Sequence, residues 1–160
     1  MKDLITPFLL TVLAYLVIGI ISQTANAGTK NLMPSNLPPI YKQECGSCHM
    51  SYPPALLPKE SWAEMMNGLH KHYGTDASLD KQELNQISSW LNSNAGTYKR
   101  VKEAPPDNRI TKSSWFEKKH RKVNAREFSK PSVKSASNCN SCHRNAEQGN
   151  FDDDEVFIPK

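Results

Sequence analysis

The chain has 160 residues, 38% of them hydrophobic, with 11 prolines and a net charge of +4, which bounds it to one ordinary domain or two small ones. So few apolar side chains leave a polypeptide core that struggles to offset chain entropy. Disulfides, a metal or a large cofactor are expected to supply the remainder.

Residues 4–21, LITPFLLTVLAYLVIGII, form an apolar run after Lys2, and Ala25-Asn26-Ala27 follows in the small-x-small pattern that signal peptidase reads. We read residues 1–27 as a cleaved secretory signal peptide. The alternative is a retained membrane anchor, because the run is just long enough to span a bilayer with little tilt. Either reading puts the functional chain outside the cytoplasm, which in a bacterium means the periplasm.

Pro38 and Pro39 open a short predicted helix that runs into Cys45-Gly46-Ser47-Cys48-His49. Pro53, Pro54 and Pro58 then predict an extended loop. From Lys59 to Tyr73, the residues Trp62, Met65, Met66, Leu69 and Tyr73 recur at helical spacing, with Gly74 as the stop. A further helix is marked by a capping box of Asp80 and Glu83, a staple of Leu79 and Leu84, and a buried stripe of Ile87 and Leu91 that ends near Gly96. Pro105-Pro106 reads as a linker, dividing the mature chain into residues 28–100 and 101–160. In the second part, Ser114 to Glu117 predicts a helix with its own capping box that includes His120. A polar stretch then leads to Cys139-Asn140-Ser141-Cys142-His143, and Gly149 is expected to close the helix there. No convincing strand pattern is found, so the expected fold class is all-α.

All four cysteines thus fall into two copies of C-x-x-C-H, the attachment signature of a c-type haem. The spacing has a chemical reason. Two thiols about one helical turn apart can each form a thioether with a porphyrin vinyl group, and the histidine that follows is directed to the iron. Structural disulfides would not explain a histidine after each pair. Zinc knuckles normally lie about 12 to 20 residues apart, far closer than these, and a thioredoxin-like motif should follow a strand. The expected cofactors are two c-type haems, held by Cys45, Cys48, Cys139 and Cys142 with His49 and His143 as proximal ligands.

The remaining histidines are His70, His72 and His120. Helical geometry alone does not separate His70 from His72, and Met65 or Met66 on the apolar stripe could in principle ligate, although core packing is the commoner use of such methionines. The order of elements in the first part resembles the class I cytochrome c fold, whose usual methionine ligand has no counterpart in HYGTDASLD. His72 is accordingly the expected distal ligand of the first haem. By counting, His120 is left as distal partner for the second haem.

The combination CGSCHMSYPPALLP, SWAEMMNGLHKHYGTDASLD, RITKSSWFEKKH and SASNCNSCHRNAEQGNFD resembles the small bacterial dihaem cytochrome c family over nearly all of the mature chain. In that family the recurrent histidine precedes an aromatic residue and glycine, which implies His72 rather than His70. The resemblance implies an electron carrier with two bis-histidine haems and no catalytic residues. It also implies a high-spin, oxygen-binding monohaem cytochrome as acceptor; a quinol-linked or other cytochrome would be the donor. Two other classes share the attachment sites: a dihaem peroxidase or reductase with one displaceable distal ligand, and a membrane-anchored cytochrome subunit if residues 1–27 are retained. The cationic run at Lys118-Lys119-His120-Arg121-Lys122 fits an acidic redox partner. Nucleic acid is not an expected partner of an exported chain.

Overall fold

The computed structural model describes residues 31–160; the expected signal segment 1–27 lies outside the described residues. Among the described residues the chain is helical and has no strand, only an isolated bridge between His72 and Thr75. Four α-helices, α1 (Pro39–Cys45), α2 (Lys59–Asn67), α3 (Lys81–Asn94) and α4 (Ser114–His120), are joined by short 3-10 turns.

Helix α1 begins with proline in its first turn, where the missing N–H costs nothing. It delivers Cys45 at its last residue. Tyr41 on its inner face is buried against Trp90 of α3, ring centroids 4.6 Å apart. Helices α2 and α3 pack against each other around Met33, Tyr41, Leu57, Trp62, Met66, Ile87, Trp90 and Leu91, and Leu79 and Leu84 close one end. The loop between α1 and α2 buries Pro53, Pro54, Leu56 and Leu57 and is pinned through two of its carbonyls: Trp62 Nε1 donates to that of Pro54 and Gly96 N–H to that of Leu57, each at 2.8 Å.

The capping box at the start of α3 is present as expected. The Asp80 carboxylate accepts from the N–H groups of Gln82 and Glu83, and the Glu83 carboxylate accepts from the Asp80 N–H. Asp80→Ala should lower stability by about 1 kcal/mol, read as a lower midpoint in denaturant unfolding of the haem-loaded protein with its visible spectrum unchanged.

Three local expectations are corrected. The second helix stops at Asn67, well short of Tyr73, because Gly68 caps it, donating its N–H to the carbonyls of Glu64 and Met65. A 3-10 turn, Leu69–Lys71, follows, so His70 and His72 do not share a long helix face. The fourth helix is capped by Ser113, not Ser114: the Ser113 hydroxyl accepts from Phe116 N–H, and Glu117 falls one position beyond a capping box. The second attachment motif opens on a 3-10 turn, Cys139–Ser141, and another, Ala146–Gln148, follows it, where an α-helix was expected. Gly149 does end the second of these turns, at a left-handed φ of 81°.

Candidate functional site

The structure gathers the five histidines into two imidazole pairs and one outlier. His49, four residues after the end of α1, lies across from His72, their ring centroids 6.1 Å apart and their planes 33° apart. His143 lies across from His120, at the last turn of α4, with centroids 6.2 Å apart and planes 84° apart. His70 is exposed and belongs to neither pair. Met66 is buried in the core, and Met65 packs against it.

The segment carrying His72 is shaped by its backbone. Tyr73 and Gly74 both adopt positive φ, 49° and 100°, the sign pattern of a primed turn, and Thr75 N–H donates back to the His72 carbonyl at 3.0 Å. Gly74 is needed there because its φ excludes most side chains. Tyr73 is tied outward: its hydroxyl donates to the Asp107 carbonyl at 2.9 Å, and the Arg109 guanidinium sits 4.0 Å from its ring centroid. His120 is held by stacking on Phe116 one helical turn earlier, at 3.9 Å.

Tautomers follow from the hydrogen bonds. A carbonyl can only accept, so the contact of His120 Nδ1 with the Phe116 carbonyl at 2.9 Å places the proton on Nδ1. The contact of His49 Nδ1 with the Met50 carbonyl at 2.7 Å does the same. Such a carbonyl partner leaves Nε2 of each ring as the nitrogen available to a metal. Burial first, then the His49 ring and the Arg109 guanidinium, pull His72 below the ordinary imidazole value. Burial and His120 lower His143, against the opposing charge of Asp153. Both shifts favour the neutral ring that a metal requires.

The four cysteines are unpaired. Before alkylation, burial pushes the thiols of Cys45 and Cys139 up to about 11. A cavity of about 600 Å³ opens at the second motif, with Cys139, Cys142, His120 and His143 on its wall together with Phe128, Phe151, Val156 and Ile158. Val156 and Ile158 are 40% and 47% exposed, so they leave apolar surface that an apolar ligand face would cover. Trp115 also lines the cavity, and its Nε1–H is buried without a partner. Beside it stand Arg100 and Lys119. A ligand with an apolar face and an anionic edge fits this wall.

A porphyrin fits both clusters. Two imidazoles on opposite sides of one iron, each with a metal–nitrogen distance of about 2 Å, place their ring centroids roughly 6 Å apart, the separation found in both pairs. Among the described residues no three His, Cys, Asp or Glu side chains converge as a bare metal ion would need. A haem iron would need only two such nitrogens from the protein, because the macrocycle would supply its other donors.

Sequence reasoning missed the aromatic residues around the imidazoles. Tyr52 lies 4.9 Å from His49 and Phe151 lies 5.3 Å from His143, ring centroid to centroid. The spacing of Phe116 to His120, one helical turn, was a readable signal; the Phe128 ring, its centroid 6.1 Å from that of His120, was not.

The profile of the family described as dihaem cytochrome c matches residues 41–151. The chain is similar to the crystallographically solved diheme cytochrome type c of Shewanella baltica OS155, with 38% identity over 77% of this chain and 95% of that one and a TM-score of 0.67. It is also similar to the diheme cytochrome c of Rhodobacter sphaeroides, at 39% identity over 72% and 98% of the two chains and a TM-score of 0.65. No curated protein matches. With two C-x-x-C-H motifs, two imidazole pairs at iron-spanning separation and these relatives, the chain belongs to the dihaem cytochrome c family and carries two c-type haems.

Proposed function

We propose that the chain is a periplasmic electron carrier in which His49 with His72, and His143 with His120, close both faces of two haems. The observation that carries this reading is the ring separation within each pair, 6.1 and 6.2 Å, which leaves room for one metal ion and no further ligand. The bound haem supplies one-electron oxidation and reduction at a potential set by its axial ligands. The protein's part is positional: the carbonyls of Met50 and Phe116 fix the rings of His49 and His120, Cys45, Cys48, Cys139 and Cys142 would hold the macrocycles, and His72 and His120 would keep oxygen and peroxide from the iron. A closed site of this kind carries electrons rather than performing substrate chemistry, so the chain is read as a carrier and not an enzyme.

Location and partners rest on charge and on the N-terminal sequence. Arg100, Lys118, Lys119, Arg121 and Lys122 surround a second concavity of about 640 Å³, whose wall shares Arg100, Trp115, Lys119 and Asp153 with the cavity of the second site. Of these cations only Lys119 forms an ion pair among the described residues, with Asp153 at 2.8 Å. An acidic redox protein docking there would be steered to the second site, in the small transient manner of electron-transfer encounters. A high-spin monohaem cytochrome as acceptor and a quinol-linked or other cytochrome as donor suit this role. The signal-like residues 1–27 support export to the periplasm.

Electron paramagnetic resonance of the oxidised protein tests the ligation. Parallel imidazole planes split the iron dxz and dyz orbitals, whereas perpendicular planes leave them nearly degenerate with more orbital angular momentum. The first site, at 33°, should give a resolved rhombic low-spin signal, and the second, at 84°, a strongly anisotropic one. The reduced protein should not bind carbon monoxide. A high-spin signal, or stoichiometric carbon monoxide binding, would sink the closed-site reading and favour a peroxidase-like enzyme.

A further inference from the structure

An electron carrier with two sites needs a fixed relation between them, and one side chain reaches from one attachment segment to the other. Tyr52 lies three residues after His49, with its ring 4.9 Å from the imidazole and tilted by 33°. Its hydroxyl donates to the carbonyl of Ser137 at 2.7 Å, across 85 positions of sequence. That carbonyl also accepts from the Cys139 N–H at 3.0 Å and from the Cys139 thiol at 3.6 Å. Once the sulfur is alkylated its proton is gone, and the Tyr52 hydroxyl and the Cys139 amide remain as its donors.

Tyr52 is itself anchored on the side facing the core. Its carbonyl accepts the hydroxyl of Tyr41 at 2.6 Å, and Tyr41 is 2% exposed and packed on Trp90. The next two residues, Pro53 and Pro54, are buried and have their φ locked by their rings. The phenol is thus a short strut, with its base in the first helical cluster and its tip on the segment that carries the second cysteine pair.

We propose that Tyr52 is a positioning residue that sets the coupling between the two haem sites, its ring bearing on the proximal His49 and its hydroxyl holding the Ser137–Cys139 segment at a fixed separation. This rests on the electron-carrier reading. The exchange it governs is a one-electron transfer in which one iron is oxidised and the other reduced, with no proton and no further reactant. A single hydrogen bond of this kind contributes modestly to folding. Its larger effect is on distance and orientation, because Val133 is the one buried side chain in residues 129–138, which lead into the second motif.

The test uses the full haem-loaded protein carrying Tyr52→Phe, which keeps the ring and loses the hydroxyl, and Tyr52→Leu, which loses both. Three quantities are read: the rate of electron equilibration between haems after flash reduction of half-reduced protein, the dipolar coupling between the two oxidised haems by pulsed paramagnetic resonance, and the unfolding midpoint. Both variants should retain two haems and the two individual low-spin signals. Equilibration should slow several-fold and the dipolar coupling weaken in Tyr52→Phe, and more so in Tyr52→Leu. Wild-type rate and coupling in both variants would overturn the proposal. So would losses that merely follow a falling unfolding midpoint, since that is what a purely structural tyrosine would give. Carbon monoxide binding by the unaltered protein would strike instead at the closed-site reading and leave the Tyr52 comparison standing.

Discussion

Replacing Cys139 and Cys142 by serine yields a protein with one covalent haem, in which residues 101–160 lose their protection while the packed residues around α1, α2 and α3 keep theirs. The reason is the distribution of core. Every member of the main buried cluster, from Met33 to Leu91, precedes residue 101. Beyond it the buried apolar residues are Val101, Phe116, Val133 and Ala146, and the first three of these line a cavity of about 600 Å³. Helix α4 has 7 residues, too few to be stable alone, and the other elements there are single 3-10 turns, which add little by themselves. Without the haem nothing apolar fills that volume, and the residues around it have no partner surface against which to bury. The segment would collapse or flood instead. Mass spectrometry should show a single haem addition, and hydrogen exchange should show fast amides from Val101 onward. Slow exchange at α4 in that variant would mean that the second half folds on polypeptide contacts alone.

Legibility in the sequence followed the range of the interactions involved. The attachment motifs could be read because covalent chemistry dictates local spacing, and the start of α3 because a capping box is made by residues three apart. The break at Gly68 was obscured by apolar residues that keep helical spacing beyond it. Leu69 packs against the core, whereas Tyr73 is 44% exposed and serves the Asp107 and Arg109 contacts instead. The capping register of α4 was ambiguous because Ser113 and Ser114 are adjacent and either could cap. What sequence could not show is long in range: the angle between paired rings, and the reach of Tyr52 to Ser137 across the chain. Pairing His120 with the second motif rested on counting the remaining histidines; in the structure it is the shared cavity wall that puts His120 beside His143.

That wall makes the consequence of exchanging distal ligands specific to each site. Under the proposed ligation, His72→Met should raise the potential of one haem by on the order of 0.1 V, well within the roughly 0.8 V that axial ligands command, because a thioether favours ferrous iron over ferric. The rhombic signal assigned to the first site should change while the strongly anisotropic one persists. His120→Met should act on the other signal and the other potential. Its effect should be the more disruptive, since it also removes the Phe116 stacking at 3.9 Å and the bond from Nδ1 to the Phe116 carbonyl. His72 sits on a turn held by backbone bonds to Leu69 and Thr75, so its segment should keep its shape when the ring is replaced. His70→Met, at an exposed position outside both pairs, should leave both potentials where they were. Redox titration of the three variants, followed by both optical and paramagnetic resonance spectra, separates these outcomes: equal shifts of both haems in either distal variant would break the pairing, and a shift in the His70 variant would move the first distal ligand by two residues.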